Sequence, residues 1–300
     1  MSEAAPVFLV GPARSGTSLL YKSMCLHRDV AWISNYVRRL PAAPQLSAVN
    51  RLCRPMSATR RAVWFSGGGN AYVYGQRRSL AHRVFPMPAE GEPVYTRCGI
   101  AADVGGTVDG TEPDLERLRR TFRAVVRAGG GRVLVNKRIA NNLRIPLLLK
   151  AFPDAKFVFL VRDGRAVAYS LSRVDWWPES VVWWYGDTPT RWAQDGRDPW
   201  ELCARNWMEE LREAEAGLEQ VPAGQRLDVR YEDFVTAPLE TLREAAGFAG
   251  LGADPTWERE LCALRFPDRN ESWRQRLESA VVERISTLQR PALERLGYPI

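Results

Sequence analysis

Gly11-Pro-Ala-Arg-Ser-Gly-Thr-Ser18 follows a short apolar run, Val7-Phe-Leu-Val10, and opens into a stretch of helical character from Ser18 to Leu26. Its two glycines keep the G-x-x-x-x-G spacing of a phosphate-binding loop between strand and helix, but Thr17 stands where a nucleoside triphosphatase carries lysine. That lysine reaches the β- and γ-phosphates in ATP chemistry, whereas backbone N–H groups alone can hold a smaller anion. The loop therefore predicts an α/β fold that binds a nucleotide-like anion by a route other than ATP hydrolysis.

Outward from the loop, the pattern alternates strand and helix. Asp29–Ser34 reads as a weak second strand. Tyr36 to about Pro93 is basic and rich in Pro and Gly, including Gly67-Gly-Gly-Asn70, and reads as short helices and loops over a sheet. Order returns with a helix over Asp114–Ala128, whose Leu115, Leu118, Phe122 and Val125 form one stripe, stopped by Gly129-Gly-Gly131. A strand over Arg132–Val135, a helix over Asn142–Phe152, a buried strand over Lys156–Val161 and a helix over Asp163–Ser172 follow. Val174–Trp200 carries six tryptophans: 176, 177, 183, 184, 192 and 200. Helix 201–219, strand Arg226–Val229, helix Leu239–Phe248 and a last helix from Glu278 to Leu296 complete the chain. This order predicts a three-layer, P-loop-like fold with a central parallel sheet and ligands at the carboxyl ends of its strands. Helical and loop insertions form a lid: a cap region over about 36–130 and a tryptophan-rich insert over about 174–200, within a single domain spanning 1–300.

Composition bounds the function. The 300 residues are 45% hydrophobic and 26% charged, with a net charge of +7. No stretch approaches 18 uncharged apolar residues, and Met1-Ser-Glu-Ala-Ala-Pro6 lacks a basic flank and an apolar core, so neither a secretory signal nor a membrane span is expected. The five cysteines (25, 53, 98, 203, 262) are scattered and form no C-x-x-C, which suits reduced thiols in a cytoplasmic protein. With two histidines, His27 and His82, a metal site is not expected. Basic residues are spread along the chain without a nucleic-acid-type run, and only four of the 42 are lysines (22, 137, 150, 156).

The second informative stretch is Lys156-Phe-Val-Phe-Leu-Val-Arg-Asp-Gly-Arg-Ala-Val-Ala-Tyr-Ser170. A buried strand delivers Arg162 at its tip, with Ser170 about two turns into the next helix. An arginine there can fork a phosphate, and a hydroxyl nearby can join it. Alone, the segment reads equally as an Arg162–Asp163 surface pair and a core-edge serine. Joined to the loop, it resembles the sulfotransferases that use 3'-phosphoadenosine 5'-phosphosulfate (PAPS). In that family P-x-R-S-G-T-[ST] holds the 5'-phosphosulfate, and a strand ending in R-D followed by serine holds the 3'-phosphate. The matching residues are Pro12, Arg14, Ser15, Gly16, Thr17 and Ser18 for the first site, and Arg162 and Ser170 for the second. Leu134-Val-Asn-Lys-Arg138 with Phe152-Pro-Asp-Ala155 resembles the tyrosylprotein branch and its bacterial cousins. Arg230-Tyr-Glu-Asp-Phe-Val235 resembles a segment whose tyrosine lies near the adenine, and Asn270-Glu-Ser-Trp-Arg274 and Leu296-Gly-Tyr298 resemble C-terminal signatures.

The resemblance implies PAPS as donor, PAP as product and no metal requirement, with Tyr231 at the adenine and Lys137 and Arg14 stabilising the transferring group. The expected partner is a small-molecule acceptor (a glycoside, lipid or other metabolite) taken by a monomer or homodimer. The general base is the point of departure. Arg138-Ile-Ala140 stands where one branch has histidine, and Asn35 and Tyr36 stand where another has glutamate. Candidates come from elsewhere: Glu90 after the proline-rich turn first, His82 second for its natural pKa, Asp103 third. His27 closes the first helix and is assigned to structure. Two other readings stay open: a P-loop kinase or NTPase using Asp163 for Mg²⁺, and an inactive PAP/PAPS-binding protein.

Overall fold

The computed structural model describes residues 4–65, 80–101 and 112–300. Among them, five strands form one parallel sheet in the order β2-β3-β1-β4-β5: β1 Val7–Val10, β2 Val30–Ala31, β3 Val133–Lys137, β4 Lys156–Val161 and β5 Arg226–Arg230. The helices that build its layers are α1 Thr17–Cys25, α2 Leu115–Gly129, α3 Ile145–Ala151, α4 Gly164–Leu171, α5 Pro199–Leu218, α6 Pro238–Phe248, α7 Pro255–Cys262 and α8 Ser279–Arg295.

Strand alternation sends the apolar side chains to two cores. Phe8, Val10, Leu134, Phe157 and Phe159 pack with α2, α3 and α5 through Leu118, Phe122, Leu148, Trp207 and Leu211. Val7, Leu9, Val133, Val135, Val158 and Leu160 pack on the other face with α1, α6 and α7 through Leu20, Met24, Leu242, Ala245 and Leu261. The three-layer α/β expectation is thus the observed fold. A satellite core gathers Trp177, Val182 and Trp192 against Leu202 and Cys203 of α5 and Ile285 of α8.

Local chemistry sets the element ends. Asp114 caps α2 by accepting the Arg117 N–H at 2.8 Å, and Gly130, at φ 76°, closes it. Asp163 caps α4 through the Arg165 N–H at 2.9 Å. The expected helix over 142–152 is instead a 3-10 turn, Ile139–Leu143, followed by α3, because Pro146 has no N–H and belongs in a helix's first turn. The second strand is shorter than expected, since Val30 and Ala31 alone pair with β3. Within 36–130, α2 belongs to the layer beside the sheet, while 35–64 and 80–96 form short helices.

Register assembles the site. Leu9 pairs with Lys137, so Lys137 ends β3 alongside the start of the phosphate loop. Val161 pairs with Arg230, so Arg162 and Tyr231 leave the sheet side by side.

Candidate active site

At the carboxyl end of the sheet lies a cleft of about 920 Å³. Arg14, Gly16, Thr17, Ser18, Glu90, Lys137, Arg162, Ser170 and Tyr231 all line it, so most of the residues singled out in the sequence meet in one place.

The loop is shaped by close approach. Gly11 (φ 139°) lies against β4, where a Cβ would stand 2.1 Å from the Leu160 carbonyl oxygen. Gly16 (φ 94°) lies on the Tyr231 ring, 2.6 Å from where its Cβ would be. Neither position tolerates a side chain. Asn142 clamps the loop's entry, donating to Gly11 O and accepting from Gly11 N, both at 2.8 Å. The N-cap Gly16 offers no side chain to the first N–H groups of α1, which lack intrahelical partners by geometry. Ser15 Oγ is wholly buried and has no hydrogen-bond partner among the described residues. A buried hydroxyl and N–H groups at a helix start form a cradle that fits a phosphate-like anion.

The arginines converge on the same cleft. Arg14 Nε donates to Ser170 Oγ at 3.1 Å. Arg162 stacks on Tyr231 with its guanidinium carbon 4.2 Å from the ring centroid, and donates to Arg14 O, Arg269 O and Asn270 Oδ1. Burial lowers the pKa of both arginines, and for Arg14 the nearby Arg162 and Arg269 lower it further. Cations crowded out of water fit an anionic ligand.

Lys137 meets Glu90 at 2.5 Å. Glu90 is brought there from a distant segment. Ala89 N donates to Ile33 O at 2.8 Å, Ser34 bridges Pro88, and Asn35 donates to Phe85 O and accepts from Met87 N. Asn136 then holds the Glu90 carbonyl at 3.1 Å and accepts the Tyr95 hydroxyl at 2.6 Å. Arg138 turns away from the cleft into a bidentate pair with Glu92 at 2.5 and 2.6 Å. Asn35, one of the two residues at the expected glutamate position, therefore latches the turn that presents Glu90.

Other expected residues lie elsewhere. His82 sits in the short helix Leu80–Val84 and is not among the cleft-lining residues. Asp103 and Gly67–Asn70 fall outside the described residues. Asp163 is absent from the cleft lining and is held by Arg165 at 2.7 Å. His27 is structural: Nδ1 accepts the Asp29 N–H at 3.1 Å, and Nε2 faces Gly252 O at 2.9 Å. Of the tryptophans, 176, 177 and 183 line the cleft. Trp192 packs inside the satellite core, with Trp184 and Trp200 against it. Sequence reasoning missed Arg269 and Glu210, both in the cleft wall. Arg269 could have been found, since it directly precedes the Asn270–Arg274 signature.

Comparison with known proteins agrees with this geometry. Residues 93–255 match the profile described as the sulfotransferase family. The chain belongs to the sulfotransferase family. It is 31% identical over 188 residues to carbohydrate sulfotransferase 5 of Mus musculus, and 27% identical over 168 residues to carbohydrate sulfotransferase 1 of Danio rerio. Those matches take in 52% and 48% of this chain but only 45% and 38% of the relatives' own lengths. Its fold is similar to that of sulfotransferase STF9 from Mycobacterium avium, with a TM-score of 0.61 and 13% identity, covering 100% of this chain and 79% of that one. Sulfotransferase STF1 from Mycobacterium tuberculosis H37Rv gives 0.58 at 16% identity, covering 96% and 76%. Among the described residues of this chain, no helix is long and apolar enough to cross a membrane.

Proposed function

We propose that this chain transfers a sulfuryl group from PAPS to a hydroxyl of a small-molecule acceptor by in-line displacement. The observation that carries the reading is the convergence, in one cleft, of the phosphate loop, the Arg162–Ser170 site and the Lys137–Glu90 pair. Bound at the loop, PAPS supplies an activated sulfuryl group whose leaving phosphate gathers negative charge. Loop N–H groups, Ser15, Thr17 and Ser18 hold the 5' end, Arg162 and Ser170 hold the 3'-phosphate, and Tyr231 borders the adenine. Arg14 and Lys137 stabilise the charge that develops on transfer.

Glu90 takes the acceptor's hydroxyl proton. Protonation cancels the charge that pairs with Lys137, so the full charge of Lys137 is turned on the transferring group as transfer proceeds. Trp176, Trp177 and Trp183 form an apolar wall suited to the face of a sugar ring or a lipidic body. The reading takes the chain as one catalytic domain, acting in the cytoplasm as a monomer or homodimer.

The kinase reading is disfavoured because Asp163, its carboxylate for Mg²⁺, is spent on Arg165. The inactive-binder reading is disfavoured because a carboxylate does stand beside Lys137. The deciding experiment incubates the protein with PAPS and a panel of glycosides, lipids and phenols, and follows PAP release and product mass. Sulfated product with no Mg²⁺-dependent ATP turnover is expected. ATP hydrolysis, or PAP that fails to raise Tm, would sink the reading.

A further inference from the structure

Glu210 has no part in that scheme, yet it is a carboxylate in the cleft wall that is only 7% exposed. Its Oε2 accepts the N–H of Ala13 in the phosphate loop. Its Oε1 accepts Asn206 Nδ2 at 3.0 Å, from one turn earlier on α5. Asn206 Oδ1 in turn accepts the indole N–H of Trp184 at 3.1 Å. Burial raises the Glu210 carboxyl's pKa, while the bonds from Ala13 and Asn206, and the charge of Lys137, pull it back. A buried carboxylate beneath an anion-binding loop is costly unless it holds something in place.

What it holds is strained. Arg14 is the one non-glycine residue with positive φ among the described residues, at 69°. The chain is fixed on both sides of that strain. Glu210 holds the N–H of Ala13 just before it, and Arg162 holds Arg14's own carbonyl at 3.1 Å. We infer that Glu210 is a positioning residue which, through Asn206, latches the donor loop to the tryptophan segment that walls the acceptor. The names donor and acceptor rest on the function proposed above; the latch itself does not.

The latch has one direction. An indole N–H only donates, so the Asn206 oxygen faces Trp184, its NH₂ faces Glu210, and Glu210 must accept at both oxygens. Glu210→Gln sets an NH₂ against the Asn206 NH₂, and Asn206 cannot flip without setting its NH₂ against the indole. Trp184→Phe removes that indole donor and lets Asn206 flip.

The test compares wild type, Glu210→Gln, Trp184→Phe and the double variant by hydrogen exchange of the 11–18 segment and by PAP calorimetry. Glu210→Gln should speed loop exchange and weaken PAP by about tenfold, Trp184→Phe alone should change both by less than about threefold, and the double variant should recover most of the loss. Additive effects, or unchanged loop exchange in Glu210→Gln, would overturn the latch. Should Glu210→Gln fail to fold, Asn206→Ala is expected to speed loop exchange, and unchanged exchange there overturns it equally. If PAP does not bind the wild type, the donor reading fails while loop exchange still judges the latch.

Discussion

Lys137 and Glu90 are an unequal pair: the lysine side chain is 4% exposed and the glutamate 21%. The lysine is thus the more enclosed member, and under the proposed function the carboxylate is the one open to an incoming hydroxyl. In the proposed reaction, where arginines carry the nucleotide phosphates, removing the preorganised cation Lys137 costs transition-state stabilisation far more than ground-state binding. Lys137→Ala is expected to lower kcat by about 10²–10³ while PAP still binds, as read by turnover and calorimetry side by side. Glu90→Gln keeps an oxygen for Lys137 but removes the proton acceptor, so kcat should fall by about 10²–10⁴ with PAP affinity retained. Normal turnover by Glu90→Gln would assign the base to another group.

Among the elements, α1 carries a second buried lysine. Lys22 donates to the Trp64 carbonyl at 2.6 Å, tying α1 to the short helix Ser57–Trp64. Burial pushes its pKa down from the ordinary 10.5 to about 7, so between those values the unfolded chain holds a proton that the folded one does not. Stability should therefore rise as pH climbs from about 7 to about 10, and Lys22→Met should flatten that rise in urea melts across the range. The tryptophan segment divides by packing. Trp192, 4% exposed in the satellite core, should cost about 3–5 kcal/mol when cut to alanine. Trp183→Ala, at the cleft wall, should chiefly raise the acceptor KM.

The same elements show what sequence could tell. The unbroken apolar run Phe157–Val161 announced a buried strand, and the loop and Arg162 announced residues that meet in one cleft, because strand tips and glycine spacing are local patterns. Glu90 was legible through its proline-rich turn, although only the pairing of Ile33–Asn35 with Met87–Ala89 explains how it reaches Lys137. Glu210 was not legible. It sits among Glu201, Glu209, Glu213 and Glu215 on one helix, and reads as part of a solvated face until the sheet order brings α5 under the loop.

Across the whole molecule, charge is concentrated rather than spread. Among the described residues, Arg14, Lys137, Arg162, Arg173, Arg269 and Arg276 line the cleft against only Glu90 and Glu210, an excess of four positive charges where the chain's net total is +7. The cost of that crowding shows in Arg14, whose pKa is lowered by burial and then by Arg162 and Arg269. A ligand with several phosphate charges relieves the repulsion, so its binding should depend on salt in a way that a neutral nucleoside's does not. The Debye length falls from about 10 Å at 0.1 M to about 3 Å at 1 M, shorter than the span of the cleft's cations. PAP at 100 times its Kd should add about 2.7 kcal/mol of stability at low salt. Raising NaCl from about 0.05 to 0.5 M should weaken PAP by at least about tenfold and shrink the thermal shift with it, while adenosine's weak binding stays level. A PAP affinity indifferent to salt would mean that stacking on Tyr231 and the loop's N–H groups, rather than the arginine field, hold the nucleotide.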